Sequence, residues 1–201
     1  MPRIKKQLSR YEVAVCSPHA DINEAIYFIR ENESLSDRAK LKKTADVIAD
    51  GIASGEVKIT YGHLKGPFGW TTLKDERVKA GESYHDGFVM DCSDFVQWAY
   101  YAATGKMTAP NTETMCYHAA WTDRRPGTVA FHYDAKDGYM GDNHCAIWLG
   151  NGRFIESSSG YGGVRVNETN EFYETFFTKW ADLEKDPLYY GDIHEYDFLA
   201  N

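Results

Sequence analysis

The sequence predicts an α+β fold, with helices in its first half and a small antiparallel sheet in its second. Three observations carry this. Apolar residues recur at helical spacing three times before Gly105. After Pro126-Gly127 the pattern changes to short segments rich in aromatic and aliphatic residues: Thr128–Tyr133, His144–Leu149, Arg153–Ser157 and Gly163–Val166. Gly150-Asn151-Gly152, between two of these, is a hairpin turn signal. Helical and strand segments are segregated along the chain, as expected when helices pack on an antiparallel sheet.

Taken in order, residues 1–35 form an extension with one short helix, in which Asp21 and Glu24 are placed as a capping pair before Ile22, Ala25, Ile26 and Ile29. A second helix runs from Ser36 to Ser54, with Leu41, Ala45, Ile48 and Ile52 on one face and Gly55 as its stop. Val57–Tyr61 reads as a short extended segment. From Gly62 to Met90 there are five glycines and Pro67, with no helical or strand period, so the segment reads as a functional loop. Its Phe68 and Trp70 either line a groove or anchor the loop itself. The third helix spans Cys92–Thr104 and is closed by Gly105, burying Phe95, Val96, Ala99, Ala102 and Ala103. Residues 106–126, with Pro110 and Pro126, read as irregular. Glu171–Trp180 suggests one more helix, whose Phe172, Tyr173, Phe176, Phe177 and Trp180 are core at helical spacing. Residues 36–201 are read as one domain.

The 22 basic and 30 acidic residues leave a net charge of −8, which disfavours a nucleic-acid partner, because such binding needs clustered Lys and Arg. Residues 168–201 hold nine acids against two bases. The acidity therefore belongs to a C-terminal segment, read as a solvated face, and the rest of the chain is close to neutral. No apolar run reaches the roughly eighteen residues of a membrane span. Val13-Ala14-Val15 is too short for the apolar core of a secretory signal. The expectation is synthesis and retention in the cytoplasm, or delivery to the cell wall by a route without a cleavable leader. Four cysteines, Cys16, Cys92, Cys116 and Cys145, are too few and scattered for a disulfide framework, and read as free thiols.

Chemistry points to Cys92. It opens the third helix behind Asp91, a good N-cap, where the helix dipole and unpaired backbone N–H groups favour a thiolate. A thiolate is a competent nucleophile if a base stands within hydrogen-bond reach. His144 opens one strand of the hairpin and Glu156 lies on the next, where a carboxylate could hold the imidazole in one tautomer. Cys116, His118, His144 and Cys145 have no zinc-ligand spacing, and Cys145 reads as structural filling. The glycine-rich loop lacks the Gly-Lys-Ser/Thr ending of a phosphate cradle. The expected cofactor and metal content is none.

The order of motifs sharpens this. Asp91-Cys92-Ser93-Asp94-Phe95-Val96 resembles the Asp-Cys-Ser-Gly-Phe-Val signature of the NlpC family of cell-wall cysteine peptidases. Arg125-Pro126-Gly127-Thr128-Val129-Ala130-Phe131 resembles that family's Pro-Gly-Asp-Leu-Val-Phe strand, and His144 through Gly152 its His-Val-Gly-Ile-Tyr-Leu-Gly-Asn-Gly hairpin. Tyr61-Gly62 is similar to the start of its tyrosine segment. The resemblance implies a papain-like fold with Cys92 as nucleophile, His144 as base and then acid, and Glu156 as the third polar residue. It implies peptidoglycan stem peptides or muropeptides as substrates, cut between D-glutamate, through its γ-carboxyl, and a diamino acid. Tyr61, Asp91 and Ser93 would bind the amino-terminal side of the stem. The chain departs from the pattern at Asp94, where the family has Gly, and at Glu156, where it most often has His. Two other readings stand beside this one: an amidase of the phage-lysin type cutting the lactyl–L-alanine bond with the same pair, and a catalytically silent peptide-binding module.

Overall fold

A computed structural model describes residues 20–62, 89–109, 111–134, 139–167 and 188–196. Most of the expected 62–90 loop and the expected helix at 171–180 lie outside them. Helix α1 spans Ala20–Arg30 and α2 spans Asp37–Ser54. Ser36 caps α2 by accepting from the Ala39 N–H, and Gly55 closes it in the left-handed conformation at φ 78°. Leu41, Ala45, Ile48 and Ala49 form the buried face of α2, as the spacing predicts, though Ile52 is only half-buried.

Helix α3, Cys92–Thr104, is central: Phe95, Val96, Trp98, Ala99, Tyr100, Ala102 and Ala103 are all buried, so apolar surface meets it from nearly every side. Its carboxyl end is held by Arg30, whose guanidinium donates to the Tyr101 and Ala102 carbonyls at 2.7 and 2.9 Å. A cation there satisfies orphan carbonyls and complements the helix dipole.

The stretch expected to be irregular contains a helix, α4, at Thr112–His118. Asn111 caps it by accepting from the Thr114 N–H at 2.8 Å, and Thr112, Met115 and Cys116 are buried. The reason it escapes a periodicity reading is its length, two turns with a single strong apolar residue.

The strands are β1 (Thr60–Tyr61), β2 (Val89–Met90), β3 (Ala120–Trp121), β4 (Val129–Asp134), β5 (Tyr139–Gly150), β6 (Arg153–Ser158), β7 (Gly163–Asn167) and β8 (Leu188–Asp192). They form one sheet in the order β2-β1-β7-β6-β5-β4-β8-β3, antiparallel throughout except for the parallel β1–β2 pair. Strand β5 begins five residues before the predicted His144. Strand β8 occupies the aromatic, acidic tail, and pairs with β4 along Ala130↔Tyr190 and Phe131↔Tyr189. The hairpin turn is as predicted: Asn151 and Gly152 take φ of 52° and 79° between paired Gly150 and Arg153, the positive-φ pair that matches strand twist.

Register assigns the faces. Val129, Phe131, Cys145, Ile147 and Ile155 stand opposite one another on neighbouring strands and belong to the core shared with α3. Trp148 and Phe154 pair on the other face, ring centroids 4.5 Å apart, with Arg124 over the Trp148 ring. The outcome is helices packed on a mainly antiparallel sheet, with the start of α3 set against β5 and β6.

Candidate active site

Asp91 is the hinge between β2 and α3. Its backbone is extended, and its Oδ1 accepts from the Asp94 N–H and the Ser93 hydroxyl, each at 2.9 Å. One residue earlier, the Met90 carbonyl accepts from Ser157 Oγ at 2.7 Å. Ser157 adjoins Glu156 on β6, so this bond ties the approach to Cys92 to the strand carrying the carboxylate.

On the sheet, the β5–β6 register pairs Ile147 with Ile155 and Trp148 with Phe154. Followed back, it puts His144 diagonal to Glu156, within reach of long side chains on one face. The two meet: His144 Nε2 and Glu156 Oε2 are 2.6 Å apart, with Glu156 fully buried. On the other side, β7 places Arg165 directly opposite Glu156, and its Nη2 and Nε donate to Oε1 at 2.9 and 3.2 Å.

His144 also hydrogen-bonds Cys92, so the helix start and the hairpin converge. Two further groups touch the sulfur. Thr112 Oγ1, from the unforeseen α4, is 3.7 Å from Cys92 Sγ and 3.8 Å from Cys145 Sγ, and Cys145 hydrogen-bonds Cys92.

The electrostatics follow. Cys92 is held well below the ordinary thiol range by the Cys145 hydrogen bond first; burial opposes, and the hydrogen bond and charge of His144 and the Thr112 hydroxyl add to the lowering. Burial alone would lower His144, but the hydrogen bonds and charges of Cys92 and Glu156 push it up to about 10. Cys145 is raised well above its usual value by burial and by the neighbouring Cys92, so it remains a thiol and can donate. Glu156 is lowered: burial works against it, His144 and Arg165 outweigh burial. Asp94 is raised to about 7, chiefly by burial, then by the Asp91 charge. Burial pushes Cys116 up to about 12, the mark of an inert core thiol.

Tyr61 lies half-buried beside this group. Its hydroxyl is raised first by burial, then by the charges of Cys92 and Asp91, and hydrogen-bonds Ser159. Cys92, His144, Glu156, Tyr61 and Asp91 are thus gathered in one place. Ser93 is also there, but buried, with its hydroxyl turned onto Asp91. Sequence reasoning missed Thr112, Arg165 and the contact between Cys145 and Cys92. The opposed charges of Glu156 and Arg165 across the β6–β7 turn were the available signal for one of them. Among the described residues, no three His, Cys, Asp or Glu side chains gather as a metal site, and no helix is long and apolar enough to cross a membrane.

A cysteine opening a central helix, with a histidine and a carboxylate on the adjoining antiparallel sheet, defines the papain-like class. The model of the NlpC/P60 family matches residues 66–181, more than half of the chain, and the chain belongs to that family. Members of this family are generally cell-wall cysteine peptidases. Among solved structures, the chain is similar to NlpC2 from Trichomonas vaginalis, with 18% identity and a TM-score of 0.45, over 78% of this chain and 46% of that one. NlpC1 from the same organism gives 16% identity and a TM-score of 0.45 over 80% and 44%. The P60 domain of an antigen from M. avium subspecies paratuberculosis gives 18% and 0.47, over 81% of this chain and 100% of that domain. The chain spans less than half the length of the two Trichomonas chains.

Proposed function

We propose that this protein is a cysteine endopeptidase that hydrolyses an amide bond of peptidoglycan stem peptides, between the γ-carboxyl of D-glutamate and a diamino acid. Cys92 is the nucleophile, His144 the general base and acid, and Glu156 the group that orients the imidazole. The reading is supported above all by the Glu156 carboxylate 2.6 Å from His144 Nε2, on an imidazole that also bonds Cys92.

The Cys92 thiolate adds to the amide carbonyl, and the oxyanion forms beside the Cys92 N–H at the positive end of α3. His144, as imidazolium, gives its proton to the leaving nitrogen as the C–N bond breaks, which leaves a thioester on Cys92. Water then attacks the thioester and loses its proton to His144, and the thiolate departs from the new carboxylic acid. Throughout, Glu156 fixes the ring by its bond to Nε2 and favours the protonated form. Tyr61 and Asp91 stand beside the sulfur, where they meet the amino-terminal part of the stem; Ser93 contributes through Asp91.

The test is incubation of purified protein with intact sacculi and with free stem tripeptides, followed by product masses. Release of fragments ending in γ-D-glutamate, lost in Cys92→Ala, is the expected result. Release of intact stem peptides from muramic acid would make the protein an amidase instead. Cleavage of neither substrate, with Cys92 reactive, would overturn the peptidoglycan assignment.

A further inference from the structure

The geometry points to Arg165 as a positioning residue: by occupying Oε1 of Glu156 it commits Oε2 to His144. This rests on the reading of His144 and Glu156 given above. Both contacting nitrogens of the guanidinium, Nε and Nη2, converge on the one oxygen Oε1, and among the described residues the imidazole alone is bonded to Oε2. The arrangement is set by backbone, because Glu156 and Arg165 are a direct cross-strand pair on β6 and β7. The ring of Tyr161, in the turn between these strands, lies over the guanidinium and shields it.

The chemical need is specific. A fully buried carboxylate facing only an imidazole can take the proton from it, leaving two neutral groups and no imidazolium to protonate a leaving amine. A guanidinium is never deprotonated at working pH, so its charge on Oε1 favours the carboxylate and leaves the proton on His144. Among the described residues, the charged groups that act on Glu156 are His144 from β5 and Arg165 from β7, and Cys92 from α3 acts on it through His144.

The experiment is the rate of Cys92 alkylation by iodoacetamide against pH, read by intact mass. It compares wild type with Arg165→Gln, Arg165→Lys, Tyr161→Ala and Glu156→Gln, each checked for folding by circular dichroism. Arg165→Gln should move the acid limb to higher pH by about tenfold in proton concentration, and Arg165→Lys, which keeps the charge, should leave it in place. Tyr161 is 48% exposed, so Tyr161→Ala preserves the fold and wets the guanidinium, moving the limb the same way by roughly two- to threefold. A limb unmoved in Arg165→Gln, or in Tyr161→Ala if the former does not fold, overturns the role of Arg165. So does a limb shifted equally in Gln and Lys variants, since charge would then be irrelevant. If those limbs are unmoved and Glu156→Gln alters the profile, only Arg165 falls. If Glu156→Gln also matches wild type, the orienting role of Glu156 falls with it.

Discussion

Thr112 Oγ1 stands 3.7 Å from Cys92 Sγ and reaches Cys145 Sγ at 3.8 Å, so one hydroxyl from α4 bridges two thiols. A hydroxyl and a buried thiol beside a sulfur anion can both act as donors to it. Cys145→Ala should raise the Cys92 thiol more than Thr112→Val does, because the Cys145 bond is the larger of the two influences. A hydrogen bond to a charged group contributes about 1.5–3 kcal/mol, so alkylation below the new midpoint should slow by roughly tenfold or more. An alkylation midpoint that is the same in wild type and Cys145→Ala across the pH profile would show that the S–H group is not a donor.

The Cys92 and His144 shifts predict an ion pair over a wide pH range. Cys92 lies well below the ordinary thiol range and His144 near 10, so thiolate and imidazolium coexist through neutrality. Alkylation should already be at its plateau at pH 7, with no rise through the ordinary thiol range near 8.5. A single rise centred there, as for an exposed thiol, would remove the proposed nucleophile.

Asp94 gives a stability prediction with a definite sign. Its carboxyl is raised to about 7 in the folded chain, against about 3.9 when unfolded, so between those values the native state holds more protons. Stability therefore falls as pH rises from about 4 to 7. Asp94→Asn removes that penalty: its advantage over wild type should be absent near pH 4, grow to pH 7 and then stay constant, amounting to a few kcal/mol at most. Urea unfolding at pH 4, 5.5 and 7 measures it, and a flat difference would contradict the assigned shift.

Gly163 begins β7 opposite Thr60, and a Cβ there would stand 2.3 Å from the Ile59 carbonyl oxygen. Gly163→Ala should cost about 1–3 kcal/mol, the usual range for overpacking, and lower the melting temperature. Since β1 carries Tyr61 to the site, turnover should drop in the same variant, whereas Gly160→Ala, whose Cβ meets only Ser158 Oγ at 3.8 Å, should be near neutral in both.

Much of this fold is written in local pattern. The three long helices and the β5–β6 hairpin follow from apolar spacing, from caps at Ser36 and Asp91, and from the positive-φ turn at Asn151-Gly152. What escapes is either short or non-local. Helix α4 has two turns and is announced mainly by the Asn111 cap. Strand β8 takes its identity from β4, more than fifty residues upstream, so its Leu188-Tyr189-Tyr190 run has no meaning before the partner is known. The candidate site divides the same way. Cys92, His144 and Glu156 were visible through motif order. Arg165 and the second role of Cys145 emerge from cross-strand register and from side chains meeting across separate elements.

The parallel pairing of β1 with β2 matches Thr60 with Val89 and Tyr61 with Met90. The chain thus departs and returns at adjacent points of the same sheet edge, and the returning point leads straight into Asp91 and Cys92. Backbone pairing therefore sets the spacing between Tyr61 and the entry to Cys92: the tyrosine and the nucleophile share one ruler, built from peptide hydrogen bonds.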